Sequence, residues 1–214
     1  MAALPASDTV SLDDFYLGKA ERQTLASEVH PLLVTRGVPG THHTAEIAQV
    51  LSVYQQQQSC PLPVFDKGQD DRAGSRQGAP GILVFEGWCL GVQPQSAAEL
   101  QAPVNSLESQ EDDRGVWRSW VNEQISLRYL ELWQSIDFWV YLVPPSFQQV
   151  VEWRSQAERG ITPELQMSAP QLQRFIAHYQ RLTEHIWTSE PLGPGLLVHL
   201  DADHNIGEIL SLPG

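Results

Sequence analysis

Apolar and polar residues alternate between two periods along this chain, and the switches between them mark out its elements. Thr9-Val10-Ser11-Leu12 is a short β-favouring run that stops at Asp13-Asp14, which predicts a strand delivering carboxylates at its C-terminal end. Lys19 to Val29 reads as a helix, and Gly37-Val38-Pro39-Gly40-Thr41 as a loop, because Gly and Pro break both periods. Ile47, Val50, Leu51 and Tyr54 stand at i, i+3, i+4 and i+7, the apolar stripe of a second helix that frays through Gln55 to Gln58. Pro61 to Pro80, rich in Gly, Pro, Asp and Arg, reads as a functional loop. Gly81 to Gly87 is a continuous apolar run ending on Glu86, the pattern of a parallel strand covered on both faces.

The second half repeats the alternation. Pro94 to Gly115 reads as an excursion, Trp117 to Trp133 as a helix, and Ile136 to Val143 as a buried strand stopped by Pro144-Pro145. Ser146 is placed to cap a helix with Phe147, Val150 and Val151 on its inner face and Arg154 and Glu158 in its last turns. A longer helix sets Leu172, Phe175, Ile176, Tyr179 and Leu182 on one face, and the strands Leu196–Leu200 and Ile206–Leu210 close the chain. Strands alternating with helices predict a doubly wound α/β fold, a mainly parallel sheet with helices on both faces, in a single domain over residues 1–214. No internal repeat is present.

Composition narrows the function classes. With 42% hydrophobic residues in 214, the chain can bury a core of its own. A formal charge of −13, from 13 basic and 26 acidic residues, repels phosphate backbones and anionic lipid, so neither nucleic acid nor a membrane surface is expected as a partner. No apolar run is long enough for a membrane span, and the expected compartment is the cytoplasm. Cys60 and Cys89 stand outside any Cys-x-x-Cys pair and are expected to be reduced.

In open parallel sheets ligands bind beyond the carboxyl ends of the strands, where Asp13 and Glu86 both fall. Two acids in one cleft suit a magnesium-dependent transfer, one ordering the metal or its waters and the other accepting a proton; the same residues also serve ordinary turns and caps. His199, Asp201, Asp203 and His204 include enough ligand types for a metal, although Asp-His-Asn-Ile-Gly after a strand is ordinary turn composition. Trp117, Trp120 and Trp133, at helical spacing, read as core.

Several segments, taken in order, resemble the D-glycerate 3-kinase family and its bacterial kinase-like relatives. They are Ser11-Leu12-Asp13-Asp14-Phe15-Tyr16-Leu17, His30-Pro31-Leu32-Leu33, Thr35-Arg36-Gly37-Val38-Pro39-Gly40-Thr41-His42, Phe65-Asp66-Lys67 with Asp71-Arg72, Phe85-Glu86-Gly87-Trp88, and Trp153-Arg154 with Gln156 and Glu158. The resemblance implies a P-loop kinase, related in fold to pantothenate, uridine and phosphoribulokinases, that moves the γ-phosphate of ATP to a hydroxyl of a small hydroxy acid, with Mg2+ as cofactor. It implies Asp13 as the base, Asp14 supporting the magnesium or the loop, and Glu86 at a Walker B-like strand end, with Asp13 and Glu86 reaching the metal through water. Arg154 falls at the place of a lid arginine, and Arg36, His42, Lys67 and Arg72 fall on the acceptor side, where a guanidinium suits a carboxylate.

The chain departs from that pattern in two places. No Gly-x-x-x-x-Gly-Lys-Ser/Thr occurs in it, and only eight residues precede Thr9, so the expectation is a kinase-like domain lacking its first strand and P-loop. Its own activity would then depend on a P-loop from elsewhere, and the alternative is a non-catalytic remnant that binds a metabolite or a partner. A central strand missing from the sheet would leave its neighbours with open edges and uncovered apolar faces. The second departure is His43, which stands where the resemblance would put an aspartate after Gly-Thr-His.

Overall fold

The computed structural model describes residues 7–160, 162 and 166–213. Strand β1, Ser7–Ser11, lies parallel to β4, Ile82–Glu86, with Thr9 opposite Val84 and Ser11 opposite Glu86. A second ladder pairs β5, Trp139–Val143, in parallel with β6, Gly195–Leu200, and β7, Ile206–Leu212, adds to it antiparallel. The fold is α/β, with parallel strands joined by helical crossovers as the alternation requires.

Helix α1, Lys19–Glu28, and helix α2, Thr44–Gln55, follow β1. The expected stripe of α2 is its buried face, with Ile47, Val50, Leu51 and Tyr54 each at most 6% exposed. Full burial of side chains of this size stabilises by about 1.5–3 kcal/mol each. A short helix, α3, Ser106–Glu111, precedes α4, Val116–Gln124, which runs through a π-helical turn over Ile125–Tyr129 into α5, Leu130–Trp133. Trp117 and Trp133 are buried in the core, and Trp120 packs against it. Ser146 caps α6, Phe147–Arg159, by accepting the Gln149 N–H at 3.1 Å. Helix α7, Ala169–Thr188, buries Leu172, Ile176 and Leu182 from the expected face.

Two expectations are corrected, and a third gains detail. Residues 61–80 hold an antiparallel hairpin, β2, Pro61–Asp66, and β3, Asp71–Gln77, with a register shift between Pro63 and Phe65. Leu62 and Phe65 anchor β2 in the core, while β3 is exposed throughout, so its pairing is a backbone matter that composition hides. The excursion over 94–115 is tied down by two buried ion pairs, Arg181 with Glu108 and Arg118 with Asp112. Strands β4 and β5 are covered on one face only. Leu83, Phe85 and Tyr141 lean on the core, but Ile82 and Val84 are 52% and 47% exposed, and Val140 and Leu142 are 55% and 60% exposed. Among the described residues β4 pairs with β1 alone and β5 with β6 alone.

Asp201 accepts backbone N–H bonds from Asp203 and Asn205, both at 2.9 Å, so it closes the β6–β7 turn. Cys60 and Cys89 are free and buried. Among the described residues no helix is long and apolar enough to cross a membrane.

Candidate functional site

Where β1 ends, Ser11 turns the chain into a 3₁₀ turn, Leu12–Phe15, by accepting the Asp13 N–H at 3.2 Å while Asp14 reaches back to the Ser11 N–H. This reciprocal cap needs a hydroxyl followed three residues later by an acceptor, which Ser-Leu-Asp-Asp supplies. It carries both aspartates past the strand's carboxyl end. Glu86, opposite Ser11 in the ladder, ends β4 at the same level, so three acidic residues lie at one end of the β1–β4 pair.

Their surroundings divide their work. Asp14 is structural on both oxygens, since Oδ2 accepts from Ser11 and Oδ1 accepts the Phe65 N–H at 3.2 Å, fastening the turn to β2. Asp13 Oδ1 accepts the Tyr16 hydroxyl at 2.5 Å, and its Oδ2 accepts the Lys67 ammonium at 2.6 Å. Burial first, and then the negative charge of Asp13, push the Tyr16 phenol far above its ordinary range, so it stays a donor and fixes the carboxylate. Glu86 is exposed, and among the described residues its carboxylate enters no hydrogen bond or ion pair.

The loop over 36–43 forms a second wall. One guanidinium nitrogen of Arg36 pairs with Asp70, and the group lies 5.9 Å and 5.6 Å from the ring centroids of Tyr16 and Phe65. Asp70 also accepts from Arg22 at 2.5 Å, and Arg22, 1% exposed, donates to the carbonyls of Leu17 and Val34. The loop is clamped from α7 and from the turn after β4: Tyr179 donates its hydroxyl to the Arg36 carbonyl at 2.9 Å, and Trp88 donates Nε1–H to the Gly37 carbonyl at 3.2 Å. Gly37, at φ +119°, leaves no room for a β-carbon, which would sit 2.7 Å from the Tyr179 ring. Gly40 is bound the same way by Trp120, at 2.4 Å.

The other expected residues fall around these walls. His42 is buried beside Tyr16, their ring centroids 5.0 Å apart. His43, in the place of the expected aspartate, sets Nε2 3.3 Å from Glu21. Lys67 sits on the β2–β3 turn and reaches Asp13. Arg72 gives both terminal nitrogens of its fork to Glu46, at 2.8 Å and 2.9 Å. Arg154, on α6, stands 3.7 Å from Glu158 with its guanidinium 5.5 Å from the Phe175 ring centroid. Burial raises the Tyr179 phenol, Asp13 raises it further, and Arg36 and then Arg154 pull the other way, so Tyr179 feels all three charges. Lys67 thus meets Asp13 directly, Arg36 and His42 lie against the ring of Tyr16, whose hydroxyl holds Asp13, and Arg154 stands farther out, beside Phe175, which packs on Tyr179. Arg72 stays on its own partner.

Sequence reasoning did not single out Tyr16, Asp70, Trp88, Tyr129 or Tyr179. Tyr16 was the most accessible of them, as an aromatic hydroxyl three positions after the candidate base. Among the described residues no group of three His, Cys, Asp or Glu side chains is arranged to hold a metal ion. Magnesium needs no such cage where substrate phosphates and water complete its shell, and the free carboxylate of Glu86 with Asp13 suits that mode.

No family model matches the chain. Over 185 residues it is 30% identical to an uncharacterized kinase of Schizosaccharomyces pombe, an alignment covering 79% of this chain and 66% of that protein. Over 230 residues it is 29% identical to the chloroplastic D-glycerate 3-kinase of Arabidopsis thaliana, covering 96% of this chain and 48% of that one. The chain thus spans less than two thirds of the length of both relatives. The solved structure of the D-glycerate 3-kinase of Cryptococcus neoformans superposes with a TM-score of 0.81 at 27% identity, over 97% of this chain and 80% of that chain.

Proposed function

From a chain that belongs to the D-glycerate 3-kinase-like family of P-loop kinases, we propose an ATP-dependent phosphorylation of a hydroxyl on a small hydroxy acid, with D-glycerate the first acceptor to try. The observation that carries this reading is the setting of Asp13: a carboxylate at a strand end, fixed on Oδ1 by Tyr16 and faced on Oδ2 by an exposed ammonium, with the free Glu86 at the same level.

Asp13 is the base in this reading. Oδ2 is the receiving atom for the proton of the acceptor hydroxyl, because its partner Lys67 is 60% exposed and exchanges for a ligand at little cost. Lys67 and the uncommitted part of the Arg36 fork then hold the acceptor's carboxylate, the arginine contributing planar, two-pronged recognition. Asp14 keeps the turn in place. Arg154 answers the charge of the transferring group from the α6 side, and Arg72 reaches the acceptor only by exchanging Glu46. Magnesium, held by Glu86 and Asp13 through water, would neutralise charge on the phosphates. The reading takes the cytoplasm as its compartment, where the buried thiols Cys60 and Cys89 stay reduced.

This sequence contains no Gly-x-x-x-x-Gly-Lys-Ser/Thr, which favours one second reading: a fold that binds the hydroxy acid without phosphoryl transfer. Titration calorimetry with magnesium-ATP and with D-glycerate separates the two, run on this chain and on the chain extended at its N-terminus by a P-loop segment. ADP release with D-glycerate by either form supports the kinase reading. Failure of both forms to turn over any hydroxyl acceptor, in folded samples, ends it.

A further inference from the structure

His42 is placed by backbone, not by chance packing. The His43 N–H donates to the Phe15 carbonyl at 2.8 Å and the Leu17 N–H to the Thr41 carbonyl at 2.9 Å, which makes Tyr16 and His42 an antiparallel bridge pair. Tyr16 in turn holds Asp13. One side chain therefore separates the imidazole from the candidate base.

The other side of the ring faces Tyr129, in the π-helical turn. The Gly40 N–H donates to the Tyr129 hydroxyl oxygen at 2.8 Å, and that oxygen lies 2.8 Å from His42 Nδ1. Tyr129 is fully buried and, with its phenol pushed up by burial, keeps its hydrogen. Having accepted from Gly40, it has one hydrogen to give. Donation to Nδ1 satisfies all three groups, whereas an Nδ1–H donor would leave a buried phenol hydrogen with no acceptor among the described residues. Nδ1 is then the acceptor, and the imidazole hydrogen sits on Nε2.

That Nε2 is buried and, among the described residues, has no hydrogen-bond partner, in a side chain only 4% exposed. A donor left this way costs on the order of 1–3 kcal/mol, which a ligand oxygen would relieve. Burial holds the ring's pKa down at about 3; Asp13 opposes the shift and His43 adds to it. The group is a neutral donor, not a cation.

We propose that Tyr129 locks His42 as its Nε2–H tautomer, and that His42 gives this hydrogen to a hydroxyl or carboxylate oxygen of the hydroxy acid bound beside Asp13. Tyr129 is a positioning residue that acts through His42. The proposal rests on the hydroxy-acid reading above and adds a selection rule: the acceptor must turn an oxygen lone pair toward His42. An analogue offering an ammonium or a C–H there leaves the donor unpaired and is rejected.

The test uses the chain with 15N in its histidine rings, the His42 signals being identified by their loss in His42→Gln. Expected are the Nε2–H pattern in long-range 1H–15N spectra, a shift of the His42 Nε2 signal on adding D-glycerate, and mixed tautomers in Tyr129→Phe. The phenylalanine keeps the ring and tests the relay even where His42→Gln fails to fold. In the P-loop-extended chain, Tyr129→Phe should raise KM for D-glycerate about tenfold with a smaller change in kcat, the size of one hydrogen bond. An Nδ1–H tautomer in the parent chain overturns the proposal. So does D-glycerate that binds or turns over without moving the His42 signal, a result that leaves the kinase reading standing. No binding by any hydroxy acid overturns both.

Discussion

Arg181 closes a two-pronged ion pair on Glu108 across 73 residues of sequence, Nε to Oε1 at 2.8 Å and Nη2 to Oε2 at 2.7 Å, with the side chains 6% and 0% exposed. Glu108 also accepts the Val104 N–H, and Arg181 donates to the carbonyls of Glu99 and Ala102, so the pair staples the 94–115 segment to α7. Removing one partner strands the other charge in the core. Arg181→Met should cost about 3–5 kcal/mol in urea unfolding, and Glu108→Leu added to it should recover part of that loss. A single-variant cost below about 1 kcal/mol would show that the pair does not staple the segment.

Asp13→Asn tests the base. The amide still accepts from Tyr16 but has no charge for Lys67 and no useful basicity, so turnover of D-glycerate by the P-loop-extended chain should fall by about 10²-fold or more. Circular dichroism should be unchanged, because Asp14, not Asp13, fastens the turn to β2. Undiminished kcat would remove Asp13 from its role.

The two sides of this site differ in how far the sequence revealed them. The positions of the acids were legible because Asp13 follows a short β-favouring run and Glu86 ends an apolar one, and the α2 stripe because its four positions are all buried as the helical period demands. The clamps were not. Tyr129 meets Gly40 across 89 residues and Tyr179 meets Arg36 across 143, contacts that no local period encodes. Strand β3 was hidden for another reason: with every residue of Asp71–Gln77 exposed, nothing forces an alternation, and its strand character comes from backbone pairing with β2. One-sided exposure of β4 and β5 contradicts the covered strands their apolar runs imply, because such a run reports what a strand can bury and not whether a layer lies over it.

Asp8 supplies a pH prediction. The Ala79 N–H, then the Tyr54 hydroxyl and Arg76, hold its carboxyl below the usual 3.8, at about 2. A depressed folded-state pKa stabilises the fold above the unfolded value and loses that contribution as pH falls through the folded one, here between about pH 4 and pH 2. The thermal midpoint should therefore drop across that window in the parent chain and drop less in Asp8→Asn. Equal acid sensitivity in the two would place the loss on other carboxylates.

Arg36→Lys separates acceptor binding from chemistry. Asp70 keeps Arg22 as a partner, so the substitution leaves no orphaned buried carboxylate and the fold should hold. A lysine cannot reproduce the planar fork, and KM for D-glycerate should rise roughly 10- to 100-fold with a smaller change in kcat. A kcat loss at constant KM would move Arg36 from the carboxylate to the transferring group.

Strands β4 and β5 each pair on one side alone among the described residues, and each turns apolar side chains to solvent. An open edge carrying exposed Val and Leu is a template for pairing with another copy, so this chain should self-associate as its concentration rises. Val84→Thr with Leu142→Thr keeps β-favouring or polar-tolerant strand residues while removing apolar area from both exposed faces. Sedimentation velocity should then show a larger monomer fraction at equal loading, with unfolding free energy within about 0.5 kcal/mol of the parent because neither side chain is buried. A fall of several kcal/mol would mean that these faces are packed in solution, and an unmoved association constant that another surface drives assembly.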